Sequence, residues 1–404
     1  MLHIKPLLLW RADAKKVQDI VSGPYDVYTT DEVKRILLEN DDSFLHVERA
    51  DALCEDQMGV FKRAKSMLER FKRNGNFLQE TQECYYLYEL SIGKYSQTGL
   101  IAGCSIDDYM DNIKVHEYTV SFKQYEREDY MLSCKAQTSP VFMFYKSCDE
   151  KDFFAQVKER NCMYDFKTDD GVNHRVWCIR DIEEIHLITC LISQISCAYI
   201  ADGHHRAAAS VSVGKFYRQH HLDTGCADRS SYIYSVLFPH DEMRILPYHR
   251  MVSVPESLTE SELLGALSEI FSVQMKLSIY FPDSRGKYGM CFRGKWYKLE
   301  LKDHTAVDRE FDCALLQKNF FEKFLGIQDV RTDPRLDFVG ADKDEEYFVN
   351  FSKKCRDKIL FTLYPVSIES VMAVSDAGET LPPKSTWFSP KLLSGLFFYS
   401  YFYF

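Results

Sequence analysis

The spacing of apolar positions changes period repeatedly along the chain and predicts alternating helices and strands. Residues 29–39 open with Thr29 and Glu32 at capping-box spacing and place Val33, Ile36 and Leu37 on one helical face. Residues 56–73 align Phe61, Ala64, Leu68 and Phe71 and stop at Asn74-Gly75, a C-terminal signal. The stretches CYYLYELSI and GLIAGCSID are rich in β-formers, and with GKYSQTG between them they predict a hairpin. SFLHVER predicts a short strand carrying polar side chains, and SPVFMFY and HRVWCI predict strands around a helix at 149–160. Helices are expected at 181–195 and 204–219, with CAYIA a short buried strand between them. SYIYSVLFP and MRILPYHRMV read as strands, Thr259 with Glu262 caps a helix, and 271–301 is β-rich. A long helix at 308–325, a strand KILFTLYPV and a short helix SIESVMAVSDAGE complete the pattern. The expected class is α/β (α+β), with changes of pattern near 90 and 255 dividing the chain into 1–90, 91–255 and 256–404.

Composition narrows this picture. At ~100–200 residues per domain, 404 residues suggest two or three packed units. With 46% hydrophobic and 27% charged residues, the chain is neither disordered, collagen-like nor a coiled coil. Lys plus Arg number 50 against 60 Asp plus Glu, a net charge of −10, so no basic face for a nucleic acid is expected. Thirteen cysteines contain no C-x-x-C pair and read as buried reduced thiols rather than a zinc ribbon or a thioredoxin-type motif. The N-terminus shows no cleavage site, and the apolar stretch 185–201 is too short and too polar to span a bilayer. A cytoplasmic protein without a membrane partner is the expectation. The aromatic tail GLFFYSYFYF either fills a groove of the core or seals a homo-oligomer.

The sharpest chemistry lies in Asp202-Gly203-His204-His205-Arg206, between the strand CAYIA and a helix. A strand–glycine–helix turn presents backbone N–H groups and the positive end of a helix dipole. Two imidazoles and a guanidinium added there suit a phosphate. Asp202 departs from a plain anion site and makes sense beside a metal ion or a hydroxyl being phosphorylated. His204-His205 is not a zinc pair, because adjacent helical residues point apart and no H-E-x-x-H or Cys partner supports it. His116-Glu117, followed by Thr119, would by itself be a solvated helix start; brought near a phosphate site, the carboxylate could act as a general base. Weaker candidates are the turn 23–28 with Tyr25-Asp26, the SFLHVER segment, residues 247–250 with His249-Arg250, and the polar and aromatic cluster 382–391 with Lys384-Ser385-Thr386, each of a type that more often serves structure than a site.

The stretches GPYDVY, SFLHVER, YYLYEL, VHEYT, SPVFMFY, YIADGHHR, ILPYHR and PPKSTWFSPKLLSG, in this order from about residue 24 to about 395, resemble the family catalogued as domain of unknown function 1015. DGHHR after a strand also resembles the phosphate-binding motif of the ParB/sulfiredoxin-like superfamily, and most nearly that of archaeal ADP-dependent kinases of free serine. The resemblance implies a ParB/sulfiredoxin-like nucleotide-binding core at 91–255 with flanking regions packed on it. It implies Glu117 as catalytic base, Asp202 as second catalytic carboxylate, and Gly203, His204, His205 and Arg206 as holders of nucleotide phosphates. The implied activity is phosphotransfer from ATP or ADP, with Mg²⁺, to the hydroxyl of a small metabolite, free L-serine first. Tyr25, Asp26, His116, Thr119, His249, Arg250, Lys384, Ser385 and Thr386 are candidates to line that site. Those kinases separate the two motifs by a shorter interval than Glu117 to Asp202. A sulfinic-acid reductase is disfavoured because His204 stands where that chemistry needs Cys, and DNA partitioning because no helix-turn-helix pattern is seen. A nucleotide-binding regulatory protein and a phosphohydrolase using the same loop remain alternatives.

Overall fold

The computed structural model describes residues 1–117, 121–220, 228–308, 310–330, 332–340 and 343–402. They form two units: Met1–Met243 with Ser375–Gly378 and Pro390–Phe404, and Arg244–Val374 with Glu379–Ser389. Residues 1–90 fall in the same unit as residues 91–243. Ile4 and Lys5 pair with Cys104 and Gly103, and Tyr86 with Ile101, so backbone hydrogen bonds join the two sides of residue 90 in one sheet.

In the first unit that sheet has nine strands. They are β1 (Ile4–Lys5), β2 (Tyr85–Ile92), β3 (Tyr95–Ser105), β4 (Ile113–Lys114), β5 (Val141–Tyr145), β6 (Tyr164–Lys167), β7 (Asn173–Ile179), β8 (Ala198–Asp202) and β9 (Tyr232–Pro239). Their order is β4-β8-β5-β9-β3-β2-β7-β6, with β1 added on β3. The β4–β8 and β5–β9 pairs are parallel and the others antiparallel. The near-continuous apolar runs of β5 and β8 are those of strands covered on both faces. Met143, Ile188, Ile192 and Ile200 are fully buried in one cluster; burying a side chain of this size contributes roughly 1.5–3 kcal/mol.

The helices α1 (Thr30–Glu39), α2 (Gln57–Arg73), α3 (Ser121–Cys134), α4 (Ile182–Ser193) and α5 (His204–Gln219) belong to this unit. Thr29 and Glu32 close the expected capping box on α1, and Asp56 caps α2. The aromatic tail forms the strand Phe397–Ser400, which pairs with Trp10–Ala12 and Ala136–Gln137 and is buried in this unit.

The second unit is built on a six-stranded antiparallel sheet. Its strands run in the order Phe271–Lys276, Lys295–Leu301, Lys287–Phe292, Lys358–Thr362, His249–Ser253, Leu336–Val339. Several expectations change. SFLHVER is a helical turn, Leu45–Glu48, not a strand: all four of its side chains are buried, which no two-faced strand pattern anticipates. MRILPYHRMV splits into Ile245–Leu246 and His249–Ser253 in different sheets, because Pro247 between them cannot donate to a ladder. The helix at 308–325 is α-helical only at Asp312–Leu316 and Lys323–Leu325. The wide turn Gln317–Glu322 between them lets adjacent Phe320 and Phe321 both enter the core. Among the described residues no helix is long and apolar enough to cross a membrane.

Candidate active site

β8 carries the buried apolar residues Ala198–Ala201 between β4 and β5 and ends at Asp202. Gly203 turns the chain with φ 95° and α5 begins at His204 with no side-chain cap on its first turn. The left-handed backbone favours glycine here, and a Cβ at this position would lie 3.0 Å from the Arg206 guanidinium folded over it. The uncapped N–H groups and the positive end of the α5 dipole remain directed at the strand–helix turn.

Parallel pairing of β4 with β8 sets Ile113 against Ala198 and Lys114 against Tyr199. The chain leaving β4 therefore delivers His116 and Glu117 to the sheet end where Asp202 lies. The His116 and His204 rings meet edge to face, centroids 4.6 Å apart, and the His116 backbone N–H approaches His204 Nε2 at 3.5 Å. Both rings are buried. Burial pushes the His116 imidazole down to about 4, with Asp202 pulling it up. Burial and then the neighbouring His116 hold His204 well below its ordinary value, against the pull of Asp202. Both are neutral at neutral pH, so His204 brings no charge to the turn.

Asp202 and Arg206 line a small cleft together with Tyr25, Ser139, Pro140 and Ser394. Lys391 Nζ lies 2.9 Å from Asp202 Oδ2. Burial alone would raise the Asp202 carboxyl; Lys391 and then Arg206 outweigh it and hold the group well below the usual carboxylate range. Arg206 also donates to the Pro140 carbonyl. The far wall is a buried polar chain. Ser139 Oγ donates to Glu48 Oε1 at 2.8 Å and lies 3.0 Å from Ser394 Oγ, and Arg127 Nη1 lies 3.6 Å from Glu48 Oε2. Arg127 also stacks over the Tyr25 ring at 4.6 Å. Burial opposes the Arg127 charge, but Tyr25 and Glu48 overcome it and raise its pKa.

Of the sequence candidates, the first unit thus holds Tyr25, His116, Glu117, Asp202, Gly203, His204, His205 and Arg206 around one sheet end and cleft. Asp26 is exposed on the turn Tyr25–Val27, and Thr119 lies outside the described residues. His249, Arg250, Lys384, Ser385 and Thr386 belong to the second unit. There Arg250 donates to the carbonyls of Lys384 and Pro383 at 2.9 and 3.1 Å. Ser385 Oγ lies 3.2 Å from Cys313 Sγ. Burial holds the His249 ring down at about 4, and its Nδ1 accepts the Leu363 N–H. Ser139, Ser394 and Arg127 were not singled out from sequence, and Glu48 and Lys391 were named only as members of the SFLHVER segment and the 382–391 cluster. Four of them stand in or beside the quoted stretches SPVFMFY, SFLHVER and PPKSTWFSPKLLSG, and Arg127 lies in the charged stretch after Glu117. Among the described residues no group of three or more His, Cys, Asp or Glu is placed to hold a metal ion.

Similar structures are distant. SbnI with a C-terminal truncation, from Staphylococcus aureus, is 12% identical with a TM-score of 0.37, over 73% of this chain and 85% of that one. A free serine kinase in complex with AMP is 12% identical with a TM-score of 0.36, over 74% of this chain and 89% of that one. A conserved hypothetical protein from Pyrococcus furiosus is 12% identical with a TM-score of 0.33, over 69% of this chain and 88% of that one. Likenesses this remote do not carry an activity across. No curated protein sequence matches the chain. The model of the protein family of unknown function DUF1015 matches residues 4–319, and the chain belongs to that family.

Proposed function

We propose that the first unit is a phosphotransferase. It moves a phosphoryl group from ATP or ADP to the hydroxyl of a small metabolite, with free L-serine the leading acceptor. The observation that carries this reading is the uncapped start of α5, where Arg206 and an ionised Asp202 line one cleft and Lys391 pairs with the Asp202 carboxylate. Backbone N–H groups, a guanidinium and an ammonium together suit an anion of high charge density. Asp202, kept ionised among them, is the residue that would help hold Mg²⁺ arriving with the nucleotide, since Mg²⁺ is held by one or two carboxylates plus substrate oxygens. When bound with the nucleotide, Mg²⁺ would neutralise charge on those phosphates.

Glu117 takes the proton from the acceptor hydroxyl. The new oxygen–phosphorus bond forms as the bond to the leaving nucleotide oxygen breaks. Arg206 and the α5 N–H groups hold the transferring group, so catalysis rests on positioning and electrostatics. His116 and His204, neutral and packed together, set the approach of the His116-Glu117 segment to the turn.

The test is product analysis with hydroxyl-bearing amino acids and either nucleotide, beside nucleotide affinity. Glu117→Gln should lower phosphoserine formation by ~10²–10⁴, the usual worth of a positioned base, with nucleotide binding nearly intact. Arg206→Ala should weaken nucleotide binding about ten- to a hundredfold, for loss of a charge-assisted contact of ~1.5–3 kcal/mol. If the wild type forms no phosphorylated product with either nucleotide, the kinase reading fails, and a nucleotide-binding protein without turnover takes its place.

A further inference from the structure

A strand at the edge of a sheet leaves a row of backbone N–H and C=O groups open, and folded chains blunt such edges by keeping them short or charged. In the nine-stranded sheet one edge, Ile113–Lys114, has two residues, and the other, Tyr164–Lys167, exposes Asp165 and Lys167. In the second unit the edge Leu336–Val339 has four residues and exposes Asp337. The opposite edge of that sheet, Phe271–Lys276, has six residues and a single charge, Lys276. Met275 is 61% exposed on it, and Leu277, just beyond the strand, is fully exposed. This is the one long edge of the two sheets left without either protection.

Register fixes what the edge offers. Phe271–Lys276 pairs only with Lys295–Leu301. The Lys302 N–H donates to the Ile270 carbonyl, so the even-numbered residues of the strand turn their N–H and C=O groups toward that partner. Val273 and Met275 turn theirs outward, where they have no backbone partner among the described residues. Their side chains lie on the face of Phe271, which is buried in the core with Val273 packed against that core.

Both patterns are self-complementary about a two-fold axis through Gln274. An antiparallel second copy in that register sets each Val273 opposite the Met275 of the other copy, with roughly four main-chain hydrogen bonds in all. Met275 gains an apolar cross-strand neighbour, and Leu277 comes beside Phe271. Lys276 meets Ser272, so no like charges oppose each other, and the exposed Gln274 meets its own counterpart, amide to amide. The joined sheet then ends on Leu336–Val339 at both sides, so association stops at two. The aromatic tail, the other candidate for self-association, is buried within its own unit.

We propose that the edge Phe271–Lys276 docks a second copy of this chain by antiparallel strand pairing centred on Gln274. The experiment is sedimentation equilibrium of the full chain over a concentration series, with variants at Gln274, whose exposed side chain is outside the core. The wild type should pass from monomer to dimer as concentration rises. Gln274→Lys should weaken the dimer at least tenfold, because like charges then meet directly. Gln274→Glu should weaken it severalfold, since Lys298 lies opposite this position in the same sheet. An equimolar mixture of the two should restore the dimer, a recovery that a folding defect cannot mimic. Non-hydrogen-bonded antiparallel partners stand ~4.5 Å apart at Cα, within disulfide reach. Gln274→Cys should therefore form an intermolecular disulfide with oxidised glutathione above the background of the native cysteines, while Ser272→Cys, which meets Lys276, should not. The proposal is overturned if the wild type stays monomeric at every concentration, which would leave the edge to a different chain. It is equally overturned if the mixture does not recover, or if Gln274→Cys cross-links no better than Ser272→Cys.

Discussion

Asp202 in the first unit and Asp312 in the second are the same side chain, yet they are driven in opposite directions. Burial raises both carboxyls. Asp202 has Lys391 at 2.9 Å and Arg206 beside it, and ends well below the usual range. Asp312 has one backbone N–H and the weaker pull of the Arg285 guanidinium, and ends at about 6. Desolvation acts on both carboxyls in the same sense, and the presence of a paired cation decides which way each pKa ends up. A pre-paired carboxylate stays ionised, whereas an unpaired one titrates closer to neutrality.

The largest effect expected from this contrast is on pH dependence. Asp312 is raised from 3.8 to about 6 on folding. Its contribution to stability is full below 3.8 and is lost as pH rises through 6, about 3 kcal/mol in all. His249, in the same unit, acts with the opposite sign: its contribution is present above 6.5 and lost as pH falls through about 4. The difference between wild type and Asp312→Asn isolates the carboxyl. Hydrogen exchange in the strands Lys287–Phe292 and Lys358–Thr362 should show the variant gaining relative stability between pH 4 and pH 7. No such gain would mean that burial does not raise the Asp312 carboxyl.

A smaller effect is expected where Asp202 is made to resemble Asp312. Lys391→Met removes the cation and should cost the first unit about 2 kcal/mol at pH 7, less than the ~3–5 kcal/mol of a fully buried pair, because both side chains keep some exposure. The Asp202 pair contributes above the ordinary carboxylate range and loses that contribution as pH falls through the depressed value, so the cost should shrink in acid. A pH-independent cost in denaturant melts would break the comparison. The smallest effect is geometric. Gly203→Ala forces a side chain into φ 95° and against Arg206, at about 1–2 kcal/mol. It should also weaken nucleotide binding by displacing the guanidinium, and unchanged affinity would separate Arg206 from the phosphates.

Much of the candidate site was legible locally. Helix 204–219 was read to its observed ends, because strand, glycine and helix start are signalled within a few residues. The Thr29–Glu32 and Thr259–Glu262 capping boxes were equally visible, each being a pair of hydrogen bonds across one turn. Convergence was not legible. Glu117 and Asp202 are joined by the two-residue strand β4 lying parallel to β8, and parallel partners are linked only through long intervening chain. Glu48 was named only within SFLHVER read as a strand, whereas its turn is helical and buried on every side.

The sequence by itself determined the chemistry available: a strand–glycine–helix turn with two histidines and an arginine, carboxylates upstream of and within it, and clusters of Lys, Ser and Tyr near both ends. Tertiary structure decided which of these share a site. Within PPKSTWFSPKLLSG, Lys384, Ser385 and Thr386 belong to the second unit, while Lys391 and Ser394 return to the first and reach Asp202 and Ser139. Periodicity and capping are set by hydrogen bonds between near neighbours, and composition reports them. The return of a chain end to one sheet rather than another is set by burial of Phe397–Ser400 between Trp10–Ala12 and Ala136–Gln137, partners far apart in sequence. No local pattern encodes that choice.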